Sequence, residues 1–194
     1  MSNCAFTIFE TPIGRCALLW RSGFVVGAAL PESSDARLLT SLARRFGAPV
    51  EEDPPQDICN AVDGVKRLLS GEDVDFSDVA IDIGSLGKFE RAVLVAARRI
   101  PRGETRTYGE IAVSVGAPGA ARAVGTALGR NPIPIIVPCH RVLAAGGASG
   151  GFSAPGGLTT KLKILEIERA RRGPEPGLFD HLPWAARTNP SQQS

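Results

Sequence analysis

Apolar residues cluster in short runs at the start of the chain and then take up a helical period. Ala5 to Phe9, Arg15 to Trp20 and Phe24 to Leu30 read as three strands. Thr11-Pro12-Ile13-Gly14 and Arg21-Ser22-Gly23 separate them with turn residues, which predicts an antiparallel meander. Leu38, Leu39, Leu42 and Phe46 then fall on one face of a helix that Ser33 can cap. Ile58, Val62, Val65, Leu68 and Leu69 mark a second helix, stopped by Gly71. Between the two helices, Pro49 to Pro55 is an acidic, proline-rich break. A short strand is expected near Val79 to Ile83.

The remainder reads as helices. Phe89, Val93, Ala96 and Ala97 have helical spacing in a segment that runs to Arg99 and ends at Pro101-Arg102-Gly103. Thr107-Tyr108-Gly109-Glu110 matches a capping box, with Thr at the cap and Glu three residues on. Gly116-Ala117-Pro118-Gly119 forms a turn, and Ala120 to Gly129 a second short helix. Two short helices around a glycine-containing turn predict a helix-turn-helix. A last helix is expected from Leu158 to Arg172, and the Pro-, Gly-, Ser- and Gln-rich tail from Gly173 is expected to be mobile.

Charge divides the chain at Gly84-Ser85. Residues 1–84 hold 7 Lys/Arg against 13 Asp/Glu, and residues 85–172 hold 14 against 5, with no Asp at all. We therefore place a domain boundary there: 1–84, 85–172 and a tail of 173–194. A basic block of this size suits a polyanion, and its coincidence with the helix-turn-helix favours nucleic acid. No apolar run approaches the roughly 20 residues that span a bilayer. The residues from Met1 on read as no secretory signal, so none is expected, and four irregularly spaced cysteines with two histidines give little support to a zinc site. A reducing, cytoplasmic setting is expected.

The chemistry concentrates in Ile133-Pro134-Ile135-Ile136-Val137-Pro138-Cys139-His140-Arg141-Val142. A thiol attacks as its thiolate, and a neighbouring base supports that form. Pro132, Pro134 and Pro138 fix φ and remove donors, so a stiff, extended approach to Cys139 is expected. Taken alone, a Cys-His pair is more often a buried hydrophobe beside a structural histidine.

Tyr108, Ala121-Arg122-Ala123-Val124-Gly125, Arg130-Asn131-Pro132, Pro138-Cys139-His140-Arg141-Val142, Gly156-Gly157-Leu158, and Lys161 through Glu168 together resemble the O6-alkylguanine-DNA alkyltransferases, also called methylated-DNA–protein-cysteine methyltransferases. The resemblance is strong over 85–172, weaker over 1–84, and does not reach the tail. It implies an α/β (α+β) fold: a small ribonuclease H-like N-terminal domain with a three-stranded antiparallel sheet and helices, packed on a mainly helical C-terminal domain. It implies irreversible transfer of an alkyl group from O6 of guanine in duplex DNA to Cys139, once per molecule, with no cofactor and no metal. By the same resemblance His140 acts on the thiol through a water, Glu168 holds that histidine, and Tyr108 donates to the guanine. Asn131 ties the recognition helix to the cysteine segment. Arg122, with Ala121, Ala123, Gly125 and Arg130, meets the DNA minor groove, and Arg122 fills the gap left by a flipped nucleotide. Val142, Phe152, Ser153 and Pro134 form the lesion pocket, Ser153 touching O6. The protein is expected to be a monomer in solution, with cooperative binding on DNA left open.

Three departures stand out. Phe152 replaces a frequent tyrosine, Ser153 to Gly157 is longer than the shortest family loops, and Gly87-Lys88-Phe89-Glu90 replaces a frequent Thr-x-Phe-Gln. On residues alone two other readings stay open: a damage-binding protein without transfer, and a cysteine hydrolase with its base elsewhere.

Overall fold

The computed structural model describes residues 4–145 and 151–170. Strands β1 (Ala5–Phe9), β2 (Cys16–Arg21) and β3 (Phe24–Ala29) form the antiparallel meander. Central β2 is buried on both faces, as five consecutive apolar residues require. Helix α1 (Asp35–Phe46) crosses the sheet, and β4 (Val50–Glu51) then returns parallel to β1. The sheet therefore has four strands, in the order β3-β2-β1-β4, not three. The supposed break from Pro49 to Pro55 contains that fourth strand, which is too short to show a period of its own.

The two faces of the sheet bury different things. Phe6, Leu19 and Val26 pack under Leu38 and Leu42 of α1. Gly27 makes room for the Phe46 ring at this crossing, which a Cβ there would displace. The α1 cap is Ser34, accepting from the Arg37 amide, one residue later than Ser33. The opposite face, with Trp20, Val25 and Ala28, joins the main core under α2 (Gln56–Leu69). Val79 to Ile83 is not a full strand. It touches β3 through one parallel bridge, Val25 to Ile81.

The main core continues without a break across residue 84 and includes Val93, Ile111, Val124 and Ile133. These belong to α3 (Lys88–Arg98), α4 (Tyr108–Ser114), α5 (Ala121–Gly129) and the segment after it. Thr107 caps α4 and Glu110 returns the bond, as the spacing predicts. A second parallel pair, β5 (Arg106–Thr107) with β6 (Val142–Leu143), ties the start of α4 to the end of the cysteine segment. The Ala28 amide donates to the Pro132 carbonyl at 2.8 Å and fastens β3 to the same segment.

Helix α6 (Gly157–Ile167) is shorter than expected. Arg169 sits at φ 52, the Ala170 amide bonds Leu165, and the Arg169 amide bonds Glu166. This is a Schellman closure, with Ala170 packed on Leu165. It ends the helix just where Glu168 must turn inward. Arg171, Arg172 and the tail lie outside the described residues.

Candidate active site

The approach to Cys139 is tightly folded rather than extended. The Val137 amide bonds the Ile133 carbonyl at 2.9 Å, and the Cys139 amide bonds Val137 at 2.8 Å across Pro138, whose φ −80 and ψ 65 describe an inverse γ-turn. Proline fixes φ but leaves ψ free to close such turns. Ile135, β-branched, sits at φ 74, a conformation that costs about 1–2 kcal/mol and persists only where the surroundings enforce it. Asn131 supplies part of that enforcement. Its Nδ2 donates to the Val137 carbonyl at 2.8 Å and its Oδ1 accepts from the Ile133 amide at 3.0 Å.

Cys139, His140 and Arg141 then form a single 3₁₀ turn, and the side chains at 140 and 141 converge on one carboxylate. His140 Nε2 lies 3.0 Å from Glu168 Oε1. Arg141 donates from Nη2 to Oε1 at 2.7 Å and from Nε to Oε2 at 2.9 Å, and its Nη1 donates to the Ile100 carbonyl at 2.6 Å. Burial alone would raise the Glu168 pKa, but a protonated His140 and the Arg141 guanidinium, by charge and hydrogen bond, outweigh it and hold the acid at about 2. A carboxylate only accepts, so in the neutral ring Nε2 carries the proton and Nδ1 is the acceptor. His140 Nδ1 is buried and has no hydrogen-bond partner among the described residues.

Burial pushes the Cys139 thiol up, while a hydrogen bond from Asn131 and the charge of Lys161 pull it down less strongly. Burial thus disfavours the thiolate at this position. Lys161 is fully buried on α6 and donates to the Val142 carbonyl at 2.7 Å. Desolvation lowers its pKa to about 8, partly offset by the nearby thiol. Its ammonium lies 5.9 Å from the centre of the Tyr108 ring. Tyr108 has a raised pKa, through burial first and Cys139 second, so its phenol stays a donor.

A cavity of about 860 Å³ opens over Cys139, with Tyr108 and Phe152 on its walls and Ala121, Arg122 and Gly125 of α5 at its mouth. Helix α5 buries Val124, Ala127 and Leu128, and turns Arg122 and Ala123 outward. Its outer face is nearly smooth apart from one arginine. Ser153 stands at the rim and donates to the Gly129 carbonyl at 2.8 Å.

Not every pocket residue named from sequence reaches this cavity. Val142 is fully buried in the core and lines neither this cavity nor the smaller one beside it. Pro134 lines the smaller one. Arg130 is exposed and paired with Glu90 at 2.9 Å, while Glu90 also accepts from the Gly87 amide. Two contributors went unassigned from sequence, Arg141 and Lys161. Lys161, Ile164 and Glu168 share one buried helical face, so a charge at an apolar position was the available signal. Among the described residues no group of three or more His, Cys, Asp or Glu could hold a metal, and no helix is long and apolar enough to cross a membrane.

Comparison with known proteins accounts for this arrangement. The family described as 6-O-methylguanine DNA methyltransferase, DNA binding domain, matches residues 88–170. A Mycobacterium bovis protein named methylated-DNA–protein-cysteine methyltransferase is 48% identical over 126 residues, covering 65% of this chain and 74% of its own. The like-named protein of Methanothermobacter thermautotrophicus is 39% identical over 118 residues, 61% of this chain and 65% of its own. The crystal structure of Mycobacterium tuberculosis O6-methylguanine methyltransferase superimposes with a TM-score of 0.70 at 37% identity, covering 86% of this chain and 93% of that one. That of the Mycobacterium tuberculosis OGT in complex with DNA gives 0.69 at 37%, covering 85% and 92%. The chain belongs to the methylated-DNA–protein-cysteine methyltransferase family.

Proposed function

We propose that this protein repairs duplex DNA by taking the alkyl group of O6-alkylguanine onto Cys139, one group per molecule. The observation that carries the reading is a thiol lining a cavity of about 860 Å³, ample for a purine, next to a buried histidine whose Nε2 is committed to a carboxylate. The target atom of a paired guanine is inside the helix, so the nucleotide must leave the stack. The small outer residues of α5 admit the minor groove, and Arg122 takes the place of the extruded base.

The thiol proton passes through a water to His140 Nδ1, and Glu168 stabilises the imidazolium that forms. Sγ then attacks the alkyl carbon in line. The S–C bond forms as the C–O6 bond breaks, and the electron pair departs on guanine. Tyr108 donates to the ring as that charge develops, and Ser153 exchanges its bond to Gly129 for one to O6. Net, the thiol proton replaces the alkyl group on guanine. The thioether is not reversed, so the protein is consumed.

Titration against excess duplex carrying O6-methylguanine tests this reading. Repair should plateau at one lesion per protein, with the intact mass raised by one methylene. Repeated turnover, or an unchanged mass, would overturn it.

A further inference from the structure

An unassigned pair of cations lies in the acidic half of the chain. Arg44 and Arg45 form the last turn of α1. Of the basic residues before 85, Arg15, Arg21, Lys66 and Arg67 each face a carboxylate; Arg37, Arg44 and Arg45 have none among the described residues, and of these three Arg44 and Arg45 line a cavity that reaches Cys139. The half's acids gather elsewhere: Asp57, Asp63, Asp75 and Asp78 line a separate cavity on the α2 side.

Arg44 and Arg45 share a cavity with Cys139. A second cavity of about 400 Å³ is lined by both arginines, Arg130, Glu32 and Cys139. It shares Leu128, Gly129, Cys139, Phe152 and Ser153 with the larger cavity, and the hydrogen bond from Ser153 to Gly129 lies along that shared boundary. Arg45 is braced in place. Its guanidinium stacks 5.0 Å from the Phe46 ring centre and reaches the carbonyls of Ala28 and Pro132 at 3.4 Å. Burial, and then the like charge of Arg44, lower its pKa, a penalty that a bound anion would relieve.

We propose that Arg44 and Arg45 are a second DNA contact, holding backbone phosphates beside the nucleotide turned toward Cys139. This rests on the alkyltransferase reading above. A strand that delivers a nucleotide to the larger cavity passes the shared boundary, and its neighbouring phosphates arrive at the smaller mouth. Phosphate contacts of this kind position the strand without reading its sequence, as repair at any sequence requires.

The test is the salt dependence of binding to O6-methylguanine duplex by the full-length protein. Each phosphate contact contributes about 0.9 to the slope of log K against log salt, so R44Q/R45Q should lower the slope by about 2. R44K/R45K should restore it, since lysine still binds phosphate as a point charge. The charge-matched control K66Q/R67Q, on α2, should keep the wild-type slope. An unchanged slope in R44Q/R45Q, an equal drop in the control, or failure of the lysine pair to restore it would overturn the proposal. A wild-type protein that acquires no methyl would instead overturn the alkyltransferase reading.

Discussion

Cys16 lies on β2 in the N-terminal sheet, and Cys139 in the turn before β6; both thiols are buried, and burial holds both above the usual range. Cys16 is pushed to about 11, mainly by desolvation, against a weak contact from Thr11. It is one more apolar side chain between strands. Cys139 differs in three ways that resting acidity does not reveal. It opens on two cavities, it neighbours Lys161 and Asn131, and the next residue carries a buried nitrogen acceptor. What sets Cys139 apart is access, with a buried acceptor nitrogen on the adjoining residue.

The largest effect should come from removing the second of these thiols. Cys139→Ala should reduce methyl transfer by more than about 10⁴-fold, to background, while gel-shift binding of damaged duplex persists. Residual repair by that variant would break the comparison at once.

Glu168→Gln probes the proton route. Transfer should slow by about 10²–10³-fold, within the usual worth of general acid–base catalysis. Leaving buried Arg141 without its anion should also cost about 3–5 kcal/mol of stability in denaturant melts. The pH dependence has a definite sign. An acid held at about 2 when folded, against an ordinary 4.5, adds stability that is complete above 4.5 and is lost as pH falls toward 2. The stability gap between wild type and Glu168→Gln should therefore narrow on acidification through that window. A gap independent of pH would show that Glu168 is not ionised in the fold.

Arg122→Ala should slow repair of duplex by about tenfold, the scale of a lost contact of about 1.4 kcal/mol, and slow reaction with free O6-methylguanine base far less. Equal losses on both substrates would remove its role in base extrusion. Smallest of all, Cys16→Ala should leave transfer intact and lower stability by about 1 kcal/mol, the cost of a small core cavity.

Much of this was legible in the sequence because it is local. The helix faces, the Thr107–Glu110 box and the helix-turn-helix follow from spacing within a few residues. The Cys139–His140 pair, with the motifs around it, pointed to the family. What escaped depends on distant partners. Strands β4, β5 and β6 are two residues each and exist only because β1, or one another, lie alongside. Pro138 and Ile135 fold the cysteine segment because the core and Asn131 enforce turns that proline alone does not specify. Arg141 reads as part of a motif, yet its work depends on Glu168, 27 residues away. The Arg44–Arg45 pair was hidden by the acidic average of its half.

The most direct test maps the methyl group onto the cysteines. After reaction with O6-methylguanine duplex, the protein is digested and the peptides holding Cys4, Cys16, Cys59 and Cys139 are sequenced by mass spectrometry. The account predicts one added methyl, on the Cys139 sulfur alone, with the other three thiols unmodified. A methyl on any other cysteine, or on none, would contradict it.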